Sequence, residues 1–508
     1  MPKEIKIIFF IALLVRVIAA VFSQGYGMHD DHFVAIEGPY SWIFGLDYTD
    51  WYYNLQNNPN ALIFSFWYPK INFLILKLAH FLGLHSLELA QYFNRFFHAV
   101  WSMGTLFYGY KIALKIADEQ KAKSILLFLS FFWIFPFLAV RNLVEFVCIP
   151  PLMASVYYLM ADKSRKWVLA GFLGALAVAF RFQLAIFFLS FPLILLFQKS
   201  YKKAFLYGFS FVLGFAIIEG GMGWYYFKKP FYAICNYFLY NIAHKNDFIQ
   251  GSIFKYFLDV LGMFITIGLF MWIGFYQSMK RHALLSLPIL FFLIAHSVFP
   301  NKQERFIFPI LPLFMILSWN SWMNFIENKS ILWQKISKKL LNVFWSLNIV
   351  LLMIFATYFP KKSRIQLMEY FANMQKLAVN TIFDLSEISY ELQMPYAYSN
   401  FKIHEKFFIV DNHLPAKDSF FSIWRNDIYF SNSINILKTD TNILPKTQFL
   451  VICNAKNEAQ KVAQYQETFN VKLKYITKFE PVWFEKLLHK INPANKIEIF
   501  TLYKIQNH

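Results

Sequence analysis

Apolar runs long enough to cross a bilayer recur through the first 358 residues, each ended by a short Lys/Arg cluster or by Pro and Gly. About 20 such residues span roughly 30 Å of hydrocarbon as a helix. In that medium only helices and closed barrels satisfy their own backbone groups. With 57% hydrophobic residues and 62 Phe, the chain is too apolar for an ordinary soluble domain and reads as a polytopic α-helical membrane protein. The net charge of +19 sits in the clusters between runs, where the positive-inside rule puts it, so it describes topology and argues against nucleic acid. Cys148, Cys235 and Cys453 are scattered and suggest neither a disulfide framework nor a metal site.

The first run, Ile5 to Phe22, follows Lys3 and Lys6 and contains Arg16, with no convincing small-residue cleavage site before Gly25. It is expected to be a retained helix with its amino end inside. Gln24 to Pro69 contains no Lys or Arg and would lie outside. Residues 61–84 are interrupted by Pro69, Lys70, Lys77 and His80; counted as a crossing they would invert every later basic cluster, so they are expected to lie in the outer interface. Further spans are expected near 91–117, 124–140, 142–160, 167–181, 183–198, 204–220, 257–279, 283–299, 305–325 and 338–358. The inside turns then carry Lys163, Arg165 and Lys166; Lys199, Lys202 and Lys203; Lys280 and Arg281; and Lys329, Lys338 and Lys339. This gives about eleven transmembrane helices, a first outer loop over 24–90 with interfacial helices, and a carboxyl end outside. Several spans are short, as in helices that line a cavity.

From about Pro360 charge rises and the long runs stop. TQFLVICN (447–454), VKLKYITKF (471–479) and KIEIFTLYKI (496–505) read as strands, and 363–378 and 455–468 as helices. The expectation is a membrane domain over 1–359 and a soluble α/β domain over 360–508, outside the cytoplasm.

On this topology the charges that interrupt apolar sequence gather at outer ends of spans: Asp30 and Asp31 between His29 and His32, Arg141 and Glu145 in VRNLVEF, Arg181 in AFRFQLA, Glu219 before GGMGWYY, and Lys302, Glu304 and Arg305 in FPNKQERF. Ionisable groups at membrane depth are functional-site hypotheses by default. Arg and Lys suit a lipid-linked phosphate, and a carboxylate suits proton abstraction from a sugar hydroxyl. Each also has a structural reading. Arg141 and Glu145 make an i,i+4 helix pair, Arg181 snorkels, Glu219 is solvated before a Gly-rich turn, and Lys302 and Arg305 anchor a loop on headgroups. Trp42, Trp51, Tyr52, Tyr53 and Trp67 fit an interfacial belt.

Taken together, HDDHF (29–33), TDWYYNL (49–55), RNLVE (141–145) and FPNKQERF (299–306), with a weaker echo in PYAYSNFKIH (395–404), resemble the GT-C glycosyltransferases of family 22. These are polytopic mannosyltransferases that use dolichyl-phosphate-mannose in N-glycan and GPI-anchor assembly. Asp31 stands where many members have Glu, Asn301 replaces a His, Gln303 replaces an acidic residue, and the usual Arg before Ser is missing near Phe64 and Ser65. These departures bear on sugar and acceptor more than on reaction class.

The resemblance implies an inverting hexosyl transfer, with mannose the expected sugar, from a polyprenyl- or dolichyl-phosphate donor to a glycan or glycolipid hydroxyl at the extracytoplasmic face. Asp30, with Asp31 as the alternative, is the expected base. Lys302, Arg305, Arg141 and Arg181 are expected at the donor phosphate; His29, His32, Glu145, Glu219 and Glu304 are expected to orient the acceptor. No cofactor and no structural metal are expected, and the acidic pair leaves a divalent cation open. The setting is a bacterial inner membrane with the site facing the periplasm, or the ER membrane in a eukaryote. A transporter of lipid-linked sugars is the alternative; inverted repeats would favour it, and none is evident.

Overall fold

The computed structural model describes residues 2–27, 32–45, 64–247, 250–373, 380–384, 394–399, 407–410, 428–431, 447–454 and 457–507. Its contacts divide the chain into two units: Met1–Ser23 with Asp50–Leu74 and Tyr92–Thr357, and Gln24–Thr49 with Ile75–Gln91 and Tyr358–His508.

The first unit is helical among the described residues. Among the described residues four helices are long and apolar enough to cross a membrane: Lys3–Phe22, Tyr201–Phe227, Glu304–Glu327 and Ile331–Ala356. Their burial separates centre from periphery. The most apolar stretch of Glu304–Glu327 is 94% buried, whereas that of Ile331–Ala356 is only 17% buried and so lies at the periphery. Arg16 is tolerated within the first helix because its guanidinium is satisfied internally. Its Nε donates to Ser102 Oγ at 3.1 Å, and Nη1 to the carbonyls of Ala12 at 3.0 Å and Ser130 at 3.2 Å.

Proline and backbone geometry break several expected spans. The 124–140 run becomes Glu119–Phe131 and Phe135–Ala139, the second helix opening with Pro136. The 142–160 run becomes Val144–Val147 and Ile149–Leu159, the latter opening on Pro150 and Pro151. Pro suits a first turn, where its missing N–H costs nothing. The 257–279 run is interrupted by a 3₁₀ turn, Ile265–Ile267, with Ile265 at φ 51°. The expected 204–220 helix instead continues through a π-helical turn, Ala216–Gly220, to Phe227. Tyr232–Ala243 is a helix absent from the sequence reading.

In the second unit six strands form one sheet: β1 Asn380–Asp384, β2 Phe407–Val410, β3 Ile428–Ser431, β4 Thr447–Cys453, β5 Val471–Phe479 and β6 Phe500–Asn507, in the order β3-β2-β1-β4-β6-β5. The β3-β2-β1-β4 part is parallel, and β6 runs antiparallel to β4 and β5. Ile382, Leu450, Ile452 and Tyr503 pack with Tyr465 of the helix Glu458–Phe469. Gly25, at φ +77°, lies so close to Phe359 and Pro360 that a Cβ would strike the Pro360 carbonyl. Only glycine fits that approach in that conformation.

Candidate functional site

In the first unit, three residues far apart in sequence converge. Glu145 lies in the short helix Val144–Val147 and is 0% exposed. Arg181 ends the helix Ser164–Phe180 in extended backbone (φ −136°, ψ 98°), which turns its side chain off the helical path. Arg305 comes from the 3₁₀ turn Glu304–Ile310. Arg181 Nη2 is 3.0 Å from Glu145 Oε1, and Arg305 Nε is 3.7 Å from the same oxygen. Arg181 also covers the Phe306 ring at 5.2 Å, while Arg305 Nε donates to Gln303 Oε1 at 2.7 Å.

Despite the 3.0 Å approach, neither Glu145 oxygen has an aligned hydrogen-bond donor among the described residues. The contact is therefore one of charge rather than of a formed hydrogen-bond fork. A buried carboxylate holds its charge only if paired. Two guanidiniums thus converge on one buried carboxylate, and guanidiniums are the side chains best shaped to bind an anionic phosphate. This geometry replaces the simple Arg141–Glu145 helix pair: Arg141 Nη2 donates to Ser23 Oγ at 2.6 Å, and its guanidinium covers Phe137 at 4.6 Å.

Lys302 is engaged by the backbone. It is 2% exposed. Its ammonium donates to the carbonyls of His296 at 2.9 Å, Ser297 at 2.6 Å and Phe299. These carbonyls close the helix Ala283–Val298, so Lys302 is a C-terminal cap with all three N–H donors used, favoured also by the helix dipole. Glu304 pairs with Lys255 rather than with Lys302 or Arg305, and Lys255 also reaches Asp259 at 3.3 Å. Glu219 is buried in the π-helical turn and faces the backbone of Ile234, in the first turn of Tyr232–Ala243. A carboxylate at a helix N-terminus is a capping interaction.

In the second unit, His32 is buried between two rings. Tyr26 stacks at 4.4 Å and Tyr398 at 5.6 Å, both nearly parallel to the imidazole. His32 Nε2 and Glu37 Oε2 are 3.0 Å apart, and Glu37 Oε1 accepts from the Ala397 N–H at 3.3 Å. His32 precedes the π-helical turn Phe33–Glu37 that brings Glu37 under it. The segment containing Tyr398 is the one whose sequence weakly echoed the family. His29, Asp30 and Asp31, and also Trp51, Tyr52 and Tyr53, lie outside the described residues.

Sequence reasoning missed Glu37 and a buried polar network that includes Asn142, next to Arg141. His98 Nδ1 donates to the Asn94 carbonyl at 2.8 Å, so its Nε2 accepts from Tyr68 Oη at 2.9 Å. Asn142 Nδ2 reaches Tyr68 Oη and Asn72 Oδ1, each at 3.4 Å, and Asn94 donates to Asn72 at 3.2 Å. The available signal was Asn and His within otherwise apolar sequence.

The sequence profile of the Alg9-like mannosyltransferase family matches residues 7–390, bearing out the resemblance read from the motifs. The chain is 21% identical over 317 residues to GPI alpha-1,2-mannosyltransferase 3 of Homo sapiens. That match takes in 61% of this chain and 56% of the human protein, so the match spans little more than half of the relative's length. ArnT from Cupriavidus metallidurans, solved bound to undecaprenyl phosphate, is similar in structure with a TM-score of 0.58 at 10% identity, covering 99% of this chain and 98% of that one. The archaeal oligosaccharyltransferase AglB from Archaeoglobus fulgidus, solved with an inhibitory peptide and a dolichol-phosphate, gives 0.50 at 10% identity, covering 91% and 70%. At that identity the two likenesses speak for the fold.

Proposed function

Because the chain belongs to the Alg9-like mannosyltransferase family, we propose that it is an inverting mannosyltransferase acting from a polyprenyl-phosphate donor on a glycan or glycolipid hydroxyl at the extracytoplasmic membrane face. The observation that carries this reading is the convergence of Arg181 and Arg305 on the buried Glu145. A polyprenyl-phosphate sugar is a phosphodiester with one negative charge, an anion that guanidiniums bind well. The bound lipids of ArnT and AglB, undecaprenyl phosphate and dolichol-phosphate, are of the same chemical class.

In this mechanism the acceptor oxygen attacks the anomeric carbon, the bond from that carbon to the phosphate oxygen breaks, and its electron pair leaves with the phosphate. Charge on phosphate grows from about −1 towards −2, so Arg181 and Arg305 stabilise the transition state more than the ground state. Phosphate leaves without protonation by a second carboxyl, unlike the sugar alcohol in glycoside hydrolysis. The acceptor proton passes to a carboxylate, for which Asp30 is proposed, with Asp31 as the neighbouring alternative. Glu145 holds the two guanidiniums in place between turnovers, and Lys302 supports the same loop by closing Ala283–Val298.

The same reading carries about eleven crossings, the amino end inside, a membrane domain over 1–359 and an external α/β domain over 360–508. Nothing found favours the transporter alternative. The test is Asp30→Asn in purified protein with polyprenyl-phosphate mannose and a cellular glycolipid extract. Transfer should fall about 10²–10⁴-fold, with donor binding retained; an undiminished rate overturns the assignment of the base.

A further inference from the structure

We propose that the helix Trp483–Ile491 is a membrane-surface anchor seating the second unit on anionic phospholipid headgroups. The inference rests on Ile331–Ala356 spanning the bilayer, as the proposed function does, but not on the transfer chemistry. No residue of Trp483–Ile491 is buried. At about 100° per residue, Trp483, Leu487 and Ile491 form one stripe, exposed to 65%, 43% and 72%. Lys486 and Lys490 flank one edge of it. Glu485 lies on the opposite side, where its Oε1 accepts from Tyr358 Oη at 2.7 Å, and Phe484 packs edge-on to the Tyr358 ring at 5.8 Å. The helix is thus docked by one side and presents an apolar side with a basic border, the pattern of a helix lying in a bilayer interface.

Position and charge identify the occupant. Tyr358 directly follows Thr357, the C-cap of the 26-residue helix Ile331–Ala356. Through its contacts with Glu485 and Phe484, Tyr358 therefore links Trp483–Ile491 to the residue that follows this helix in the chain. Beside Trp483 opens a cavity of about 450 Å³ lined by Lys362, Lys478 and Lys486 against Glu480. Three ammonium groups against one carboxylate, next to an interfacial Trp, suit a phosphate headgroup.

The experiment uses the full chain carrying Cys235→Ser, since Cys148 and Cys453 are buried. Single cysteines replace Leu487, Ile491 or, as the water-exposed control, Lys472 on β5. Each is labelled with an environment-sensitive fluorophore in nanodiscs of phosphatidylcholine, with or without phosphatidylglycerol. Shallow nitroxide lipids should quench positions 487 and 491 at least threefold more than 472, and more strongly with phosphatidylglycerol. Adding Lys478→Gln and Lys486→Gln should abolish that increment. Equal quenching at all three positions overturns the anchor, as does cross-linking of 487 between two copies. Equal quenching with and without the anionic lipid overturns the headgroup assignment. Loss of transfer activity in any variant bears only on the proposed enzyme function.

Discussion

Replacing Glu145 by Gln tests whether the carboxylate is the counter-charge of a site built for an anion. The substitution keeps size and shape but leaves Arg181 and Arg305 facing each other. At an effective dielectric of about 20, the gross attractions at 3.0 Å and 3.7 Å are about 5.5 and 4.5 kcal/mol. Much of that is spent on desolvating a carboxylate that is 0% exposed. Removing one partner of a buried pair typically costs about 3–5 kcal/mol net, which for a chain this large lowers Tm by about 3–5 °C. Added polyprenyl phosphate supplies the missing negative charge, so it should raise the Tm of E145Q several degrees more than that of the parent. Thermal unfolding of both proteins, with and without the lipid, is the assay. A Tm within a degree of the parent, or equal lipid stabilisation of both proteins, would refute the reasoning.

Arg181→Lys should raise KM for the donor about tenfold or more, since an ammonium cannot reproduce the planar fork; a steady-state titration of donor reads it. Lys302→Met strips donors from the carbonyls of His296, Ser297 and Phe299 and should cost about 1–3 kcal/mol. Its donor KM should move less than threefold, separating a cap from a phosphate ligand. In the second unit, burial raises the Glu498 carboxyl, but Arg364 and Lys361 outweigh it and hold it below the ordinary value of 4.5. A depressed carboxyl contributes stability fully above the unfolded value, and that contribution is lost as pH falls through the folded one. Melting between pH 3 and 6 should therefore show an acid loss that Glu498→Gln removes. Glu37→Ala leaves His32 and the Ala397 N–H without their shared carboxylate and should cost about 1–3 kcal/mol, read by the same melts.

Charge placement was legible wherever a residue interrupts apolar sequence, because such a residue needs a partner. Arg181, Arg305 and Glu145 were found that way, although which of them meet was not, since their contacts join distant segments. Lys302 was legible as a special residue but not as a cap. Its role depends on three carbonyls at the end of Ala283–Val298, and no sequence period encodes where a neighbouring helix stops. Span boundaries failed where Pro136, Pro150 and Pro151 restart helices inside apolar runs that hydropathy reads as continuous. Glu37 was missed because it lies five residues from His32. A π-helical turn brings that spacing together, whereas an α-helical reading looks three or four residues along.

Arg16 and Glu145 show why burial of a charge does not by itself mark a site. Both lie inside apolar sequence and both are almost inaccessible. Arg16 donates to a hydroxyl and two carbonyls, which disperse its charge without adding an opposing one. Nothing about that arrangement asks for a ligand, and its location binds the first helix to Ser102 and Ser130. Glu145 differs: two guanidiniums approach one of its oxygens, and among the described residues no donor is aligned to it. Left alone, such a cluster is costly, and folding gains little from it that a hydrophobic trio would not supply. On the proposed function the same guanidiniums serve the donor phosphate, which gives a physical reason for a charged trio where an apolar one would fold as well.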